Sequence, residues 1–157
     1  MPTPAYNLPA WLSGAAISLA NLNRINNTLD YLHVPPYVNV REDSGTYVTS
    51  STSPVNVGVN FTVTIDTEGG HILIGVGGLL KINTPSAYVE YLGLSLDGSF
   101  VKLFSTDIGR AFDKTHLWVA PAAGSHTIAL QYYVNNASAI ATLDKADTPL
   151  TMWALEL

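Results

Sequence analysis

Between Val55 and Ile65 the sequence alternates strictly between apolar side chains and polar or small ones. The apolar members of this alternation are Val55, Val57, Val59, Phe61, Val63 and Ile65. A period of two places the two sets of side chains on opposite faces of a β-strand. The segment therefore predicts one continuous strand with a dry face and a wet face, and a chain that contains such a strand must cover its dry face.

Further segments with strand-like composition follow one another from Tyr37 onward, separated by turn sequences rich in Gly, Asn, Asp and Pro. Besides 55–65, the predicted strands span residues 38–41, 46–50, 71–82, 87–96, 99–104, 116–120, 126–134, 139–143 and 150–157. Antiparallel strands of this length and spacing indicate an all-β, jelly-roll-like sandwich of about 8–10 strands. We expect the sandwich to be one domain, residues 37–157, and residues 1–36 to precede it as an arm and a short helix.

Two of the predicted strands, 71–82 and 150–157, are apolar on both faces. In the closing strand, the face that alternates with Leu150, Met152 and Ala154 is formed by Thr151, Trp153, Leu155 and Leu157. One face of each strand covers the core, so the other needs a second cover, which in antiparallel folds is often a neighbouring subunit. We therefore expect Trp153, Leu155 and Leu157 to lie in an interface between copies of the chain.

The first 36 residues follow a different pattern. Residues 1–17 contain three prolines, which prevent regular pairing, so we expect an extended arm. From Ser18, a residue that favours a helix N-terminus, apolar residues recur at spacings of three and four until Pro35 and Pro36 end the helix. The helix seam could face its own β domain or sister helices. The predicted contact residues of arm and helix are Tyr6, Leu8, Trp11, Leu22, Ile25, Leu29 and Leu32.

The amino-acid composition indicates which kinds of partner this chain could bind. Only 12% of the residues are charged and 47% are hydrophobic, so we expect part of the surface to be buried against copies of the chain or another protein. The net charge is −5 and the seven Lys and Arg residues are scattered, which argues against nucleic acid as a partner. No apolar run approaches the ~20 residues that span a bilayer, and the first residues lack the basic region of a secretory signal, so we expect no membrane partner.

The sequence offers little evidence of catalytic or metal chemistry. It contains no Cys, which excludes disulfides and thiolate sites. Segments 105–116 and 66–71 carry carboxylates and a histidine, but neither has the alternating pattern of a calcium loop. We therefore predict no catalytic residue, no metal site, no cofactor and no enzymatic activity. The histidines show no metal-ligand spacing, and they are His33, His71, His116 and His126.

Tyrosine residues leave a sugar-binding role open. Tyr88, Tyr91, Tyr132 and Tyr133 would stack on sugars if they stood on one exposed face, as in a lectin-like module. Tyrosine is also a common residue in strands for reasons of packing. The pattern favours the packing role, and a sugar-binding module stays an alternative.

Two segments of the chain resemble known families. The segment "WLSGAAISLANLNRINNTLDYLHVPP" resembles a leader of virion structural proteins of tailed bacteriophages, in which a short helix ends at a proline pair before a β domain. The segments "GSHTIALQYYVNNASAIATL" and "LTMWALEL" resemble the last strands of trimeric jelly rolls, including phage fibre knobs, decoration proteins and the tumour-necrosis-factor-like group. This resemblance implies a homotrimer whose closing strands lie near the threefold axis.

The short leader distinguishes between members of these families. Fibre proteins usually carry a long stalk before the knob, whereas a capsid decoration (cement) protein needs only a compact trimer and a fastening arm. The resemblance therefore implies a decoration protein made in the host cytoplasm and bound to the capsid surface of a virion. Its partners would be its own copies, the major capsid protein and neighbouring decoration trimers. A receptor-binding knob of a phage tail fibre and a sugar-binding jelly-roll module are the alternatives.

Overall fold

The computed structural model describes Asn23, Ile25, residues 35–83 and residues 88–157. The chain divides into two units, Met1–Pro35 and Pro36–Leu157. Asn23 and Ile25 in the first unit are helical, which agrees with the predicted helix at these two positions. The other predicted contact residues of the arm and helix lie outside the described residues, namely Tyr6, Leu8, Trp11, Leu22, Leu29 and Leu32.

The second unit is all β, and its described residues form eleven strands, so the predicted all-β, jelly-roll-like sandwich is confirmed. The strands are β1 (Tyr37–Glu42), β2 (Thr46–Thr49), β3 (Val55–Asn56), β4 (Thr62–Thr67), β5 (Ile72–Ile82), β6 (Glu90–Leu96), β7 (Ser99–Thr106), β8 (Arg110–Trp118), β9 (Gly124–Val134), β10 (Ala141–Asp144) and β11 (Leu150–Glu156).

The first sheet is built around β5, one of the two longest strands. Strand β8 pairs along one edge of β5, while β11 and β10 pair with successive parts of its other edge. Strand β1 extends the sheet beyond β11, and β2 extends it beyond β10. All of these pairs are antiparallel, and β11 therefore lies between β1 and β5.

The second sheet is built in the same way around β9. Strand β6 pairs along one edge of β9 and carries β7 on its far side. Strands β4 and β3 pair with successive parts of the other edge. Asp97 and Gly98 join β6 to β7 with positive φ angles of 47° and 86°, the conformation of a tight hairpin turn.

The inner faces of the two sheets form the hydrophobic core. Removing each large aliphatic or aromatic side chain from water stabilises the fold by about 1.5–3 kcal/mol. Most of the buried apolar side chains come from strands of both sheets, so the sandwich is held together by this shared layer. The largest fully buried apolar side chains are Phe61, Ile72, Ile74, Leu80, Leu92, Leu94, Ile128, Leu130, Leu143, Leu150 and Met152.

The prediction of one continuous strand over 55–65 is wrong, because the chain turns between β3 and β4. Gly58 has a φ of 57°, and a Cβ atom there would lie 2.6 Å from Cε1 of Tyr47, so glycine is required. The turn buries Val57 and Phe61 in the core and leaves Val59 87% exposed. The apolar alternation thus runs through a turn, where it no longer reports the faces of a strand.

The predicted strands 99–104 and 116–120 leave residues 105–115 as a connecting loop, and this prediction is wrong in its second half. Strand β8 begins at Arg110 and pairs with β5 over nine positions. Phe112 points into the core, while its neighbours Ala111 and Asp113 are exposed. The segment alternates, but its outer face is so polar that the sequence has the composition of a loop.

Candidate association surface

Side chains of β11 alternate between the core and the outer face of the first sheet. Leu150, Met152 and Ala154 are buried in the core, as predicted. Trp153 and Leu155 are half-buried on the outer face. The structure thus places these two predicted interface residues on the face that the core leaves uncovered, and Leu157 follows them as an exposed residue.

The strand register lines up apolar side chains across four strands of this outer face. Tyr37 in β1 is opposite Leu155 in β11, and Leu155 is opposite Leu73 in β5. Leu73 is in turn opposite Leu117 in β8. Directly opposed residues have Cβ atoms about 4.5–5.5 Å apart, so the four side chains form a continuous apolar strip across the sheet.

Trp153 lies beside this strip and is accommodated by a glycine. Gly75 is its partner in β5, and a Cβ atom there would lie 2.2 Å from Cε2 of the indole. The absence of a side chain at Gly75 therefore lets the indole lie against the backbone. Glycine inside a strand commonly marks such a close approach.

More apolar side chains lie where the strands of this face end. Leu157 follows β11 and its N–H donates to the carbonyl of His71, while Val119 follows β8. Exposed apolar side chains that lie next to one another on one sheet face are typical of a surface that binds another protein. The exposed fractions are 56% for Tyr37, 43% for Leu117, 66% for Val119 and 61% for Leu157. We define the apolar face as Tyr37, Leu73, Leu117, Val119, Trp153, Leu155 and Leu157.

The outer face of the second sheet carries aromatic rings that contact one another. Tyr91 and Tyr133 are stacked with ring centroids 4.6 Å apart, and Phe100 meets Tyr133 edge-on at 5.7 Å. The Nζ atom of Lys102 lies 5.5 Å from the centroid of Tyr91. We name these four residues the aromatic cluster. Each tyrosine ring in it already has aromatic or cationic neighbours, which leaves less ring surface for a sugar.

The other two predicted surface tyrosines do not join this cluster. Tyr132 is buried on the inner face, so its prediction as a surface aromatic is wrong. Tyr88 is half-buried and packs against the core. Adjacent residues of a strand point to opposite faces, so Tyr132 and Tyr133 could never share one surface.

A part-buried ion pair near β1 and β2 has a structural role. Glu42 accepts hydrogen bonds from Lys145 and from Asn60, the latter at 2.7 Å, and the Lys145 ammonium lies 4.0 Å from the ring centroid of Tyr47. The hydrogen bond from Lys145 is the main cause that lowers the pKa of Glu42. These hydrogen bonds engage both carboxylate oxygens of Glu42, so the cluster holds loops together and offers no free acid or base.

Two glutamates are buried in the core region and differ in their partners. Glu156 in β11 accepts hydrogen bonds from the backbone N–H groups of Glu68, at 3.0 Å, and Gly70, at 2.6 Å. Glu90 in β6 is fully buried, and neither of its oxygens has a hydrogen-bond partner among the described residues. Burial raises the pKa of Glu90 to about 8, so this side chain is a neutral acid at pH 7.

Two histidines hold the loop between β8 and β9, a role that their sequence spacing does not reveal. His126 Nδ1 lies 2.7 Å from a carboxylate oxygen of Asp97, and its Nε2 lies 2.6 Å from the carbonyl oxygen of Ala122. His71 Nδ1 accepts a hydrogen bond from the N–H of Ala120 at 2.9 Å. His126 resembles a catalytic base beside a carboxylate, but both of its nitrogens are engaged, so it has no free nitrogen with which to take a proton.

Within residues 35–83 and 88–157, together with Asn23 and Ile25, no three His, Asp or Glu side chains are grouped so that they would hold a metal ion. The same part of the chain contains no helix whose length and apolar character would let it span a bilayer.

No protein-family model and no curated protein matches this chain. Among solved structures, it is similar to VP2 in a subviral particle of infectious bursal disease virus, with 13% identity over 78% of this chain and a TM-score of 0.46. It spans 36% of that VP2 chain. A pentameric capsid protein isolated from metagenomic phage sequences is 12% identical over 99% of this chain and 80% of its own, with a TM-score of 0.31.

A third similar structure comes from a different kind of protein. The CBM36-1 domain of a multidomain xylanase from the hindgut metagenome of Trinervitermes trinervoides is 15% identical, over 74% of this chain and 95% of its own, with a TM-score of 0.39. Viral capsid proteins are thus among the structures that this chain is similar to, beside proteins of other kinds. Because one architecture serves many functions, the functional argument rests on the surfaces of this chain.

Proposed function

We propose that this chain is a structural protein that assembles with copies of itself through the apolar face, and that the assembly is a homotrimeric decoration protein on the outside of a phage capsid. The observation that carries the proposal is the apolar strip from Tyr37 through Leu155 and Leu73 to Leu117. A second copy that covered this strip would remove it from water, at about 25 cal/mol for each Å² of apolar surface buried.

The composition supports assembly as the use of this surface. A chain with 12% charged residues has few charges with which to keep an exposed apolar face in solution. In a closed ring of three copies, each copy would present its apolar face towards the symmetry axis. The number three comes from the resemblance of the closing strands to trimeric jelly rolls, and Trp153, Leu155 and Leu157 would lie near the axis.

Residues 1–36 supply the fastening part of this proposal. Their predicted contact residues, Tyr6, Leu8, Trp11, Leu22, Ile25, Leu29 and Leu32, would bind the major capsid protein or a neighbouring decoration trimer. Three arms on one trimer would act together, because after one arm binds the others are held at high effective concentration. Weak single contacts would then add up to stable attachment without any chemical reaction.

The test is sedimentation equilibrium of the full chain beside a variant that lacks residues 1–36. We expect trimers in both cases, because the apolar face lies within residues 37–157. A monomer after truncation would assign the association to the arm and helix and would contradict the use proposed for the apolar face. Stoichiometric binding of the full chain, but not of the truncated chain, to undecorated capsids would support the fastening role.

The aromatic cluster is the observation that favours a second candidate, a sugar-binding module or the receptor-binding knob of a tail fibre. Exposed tyrosines on a sheet face are a common means of contacting sugars. Here the rings of Tyr91 and Tyr133 are stacked on each other, which is why we prefer the capsid proposal. Saturable binding to a glycan array, lost in Tyr91→Ala, would favour the second candidate.

A further inference from the structure

The loop over residues 119–123 continues from the apolar face, and side chains outside it hold its conformation. Ala120 has a φ of 40°, a region that residues without glycine's freedom rarely occupy. Its N–H donates to His71 Nδ1, and the carbonyl of Ala122 lies against His126 Nε2. These two bonds fix the backbone directly after the exposed side chain of Val119.

The two bonds need opposite protonation states. A backbone N–H can only donate, so His71 Nδ1 must carry no proton when it binds Ala120. The carboxylate of Asp97 and the carbonyl of Ala122 can only accept, so both nitrogens of His126 must carry protons. The loop is therefore fully bonded only when His71 is neutral and His126 is a cation.

Charged groups around His126 favour its cationic form. The hydrogen bond to Asp97 is the main cause that raises the pKa of His126, and the nearby charge of Glu156 acts in the same direction. The element β8 contributes the uncharged ring of Trp118, which meets the imidazole edge-on at 5.0 Å. Folding raises the pKa of His126 above the ordinary value for histidine. The bonds of the charged ring therefore stabilise the fold fully below that ordinary pKa, and this stabilisation is lost as the pH rises through the pKa of the folded state.

The surroundings of His71 are different. Its turn carries the exposed carboxylate of Glu68, and the buried carboxylate of Glu156 binds the N–H groups of Glu68 and Gly70 in the same turn. The His71 ring accepts the hydrogen bond from Ala120 at 2.9 Å.

We propose that the apolar face is complete only while His126 is charged, because both of its N–H groups are needed for the loop over 119–123 to keep its conformation. Alkali removes one of these two protons, so either Asp97 Oδ2 or the carbonyl of Ala122 loses its bond from the ring, and Ala122 then keeps only the bond from Thr67 Oγ1 at 3.4 Å. This change loosens the loop, displaces Val119 and weakens association. This inference rests on the proposed function, since it assigns the apolar face to association.

Two substitutions, one of them a control, test the role of His126. In Asp97→Asn, the amide oxygen can still accept the N–H of Thr127, while the amide nitrogen can donate to an unprotonated Nδ1 of His126, so a neutral His126 keeps its proton for Ala122. Asparagine also tolerates the positive φ at this position. His71→Asn is the control, because its amide oxygen is placed near the position of Nδ1 to accept the N–H of Ala120, and the substitution leaves both bonds of His126 in place.

The experiment uses the full chain between about pH 5 and pH 9, the range around which histidine titrates. Nitrogen chemical shifts of the two imidazoles report their protonation, the methyl order parameter of Val119 reports the motion of the loop, and sedimentation equilibrium reports association. We expect the order parameter and the association constant to fall as the pH rises towards 9, with association weaker by about tenfold at the alkaline end, as the loss of one hydrogen bond allows. Asp97→Asn should remove this loss, and His71→Asn should show the same loss as the natural chain.

Three results would overturn the inference. The first is a neutral His126 at pH 7, the second is a Val119 order parameter that is constant across the range, and the third is an association constant that does not change while the loop loosens. Failure of the proposed function has a different signature, which is a chain that stays monomeric at every pH. An oligomer with no pH dependence contradicts this inference alone.

Discussion

The outer faces of the two sheets are both rich in large side chains, yet they leave different surfaces exposed. On the second sheet, Tyr91, Tyr133 and Phe100 contact one another, so the rings are partly covered within the chain. On the first sheet, Tyr37 and Leu117 stand at the two ends of an apolar strip and remain 56% and 43% exposed. Aromatic content alone therefore does not identify a binding surface. The decisive property is whether the side chains already cover one another.

The two sheets differ again in their buried glutamates. Glu156 in the first sheet stabilises a turn, because its oxygens accept backbone N–H groups. Glu90 in the second sheet has no such partner among the described residues, and it is accommodated as a neutral acid. A buried carboxylate contributes to stability when it is hydrogen-bonded and lowers stability once it must ionise.

The largest effect that we predict concerns Glu90. Its pKa rises from an ordinary value of 4.5 to about 8 on folding. Between these values the unfolded chain ionises while the folded chain keeps its proton, so the free energy of unfolding should fall as the pH rises, by up to about 5 kcal/mol. Glu90→Gln should remove this fall and should be more stable than the natural chain at pH 8.

Chemical denaturation across this range measures the effect. Glu68→Gln, which alters an exposed carboxylate, is the matched control and should follow the natural chain. Parallel curves for Glu90→Gln and the natural chain would contradict the contrast between the two buried glutamates, because they would mean that Glu90 also has a partner for its charge.

The next effect concerns the indole on the apolar face. Gly75→Ala should displace Trp153, since the new Cβ atom would lie 2.2 Å from the ring, and it should lower the free energy of unfolding by about 1–3 kcal/mol and weaken association. Gly77→Ala is the control on the same face of β5, where the nearest side-chain atom, Oγ1 of Thr151, lies at 3.1 Å. Equal effects of the two substitutions would show that glycine matters here only as a flexible residue.

A pair of tyrosine substitutions makes the smallest and most specific prediction. Tyr133→Ala removes two ring contacts from the aromatic cluster and should cost about 1 kcal/mol of stability without changing association. Tyr37→Ala removes an exposed ring from the apolar face and should weaken association with little change in the stability of the fold. Denaturation and sedimentation of both variants test this crossed pattern, and a loss of association in Tyr133→Ala would assign the interface to the second sheet.

The sequence predicts the strands well where alternation and burial agree. The period of two in β11 is sufficient to place Leu150, Met152 and Ala154 in the core and Trp153 and Leu155 outside it. It fails where a turn preserves the alternation, as it does through Gly58, because the spacing of apolar residues carries no record of a positive φ.

The hydrogen-bond partners of the histidines and the register of the strands cannot be predicted from the sequence, for another reason. The bonds of His71 to Ala120 and of His126 to Asp97 join residues 49 and 29 positions apart, and they exist only after the sheets have formed. The apolar strip likewise depends on which residues of β1, β5 and β8 stand opposite Leu155 or Leu73. A sequence gives the composition of each strand but not the register between strands.

The most direct test of the account is sedimentation equilibrium of Leu155→Asp beside Val48→Asp. The first places a charge in the middle of the apolar strip, where burial between copies would cost several kcal/mol, on the order of 3 or more. The second places the same charge on β2, at a residue that is 61% exposed and outside the apolar face. We predict that Leu155→Asp is a folded monomer while Val48→Asp keeps the oligomeric state of the natural chain. A folded Leu155→Asp that associates as the natural chain does would contradict the account.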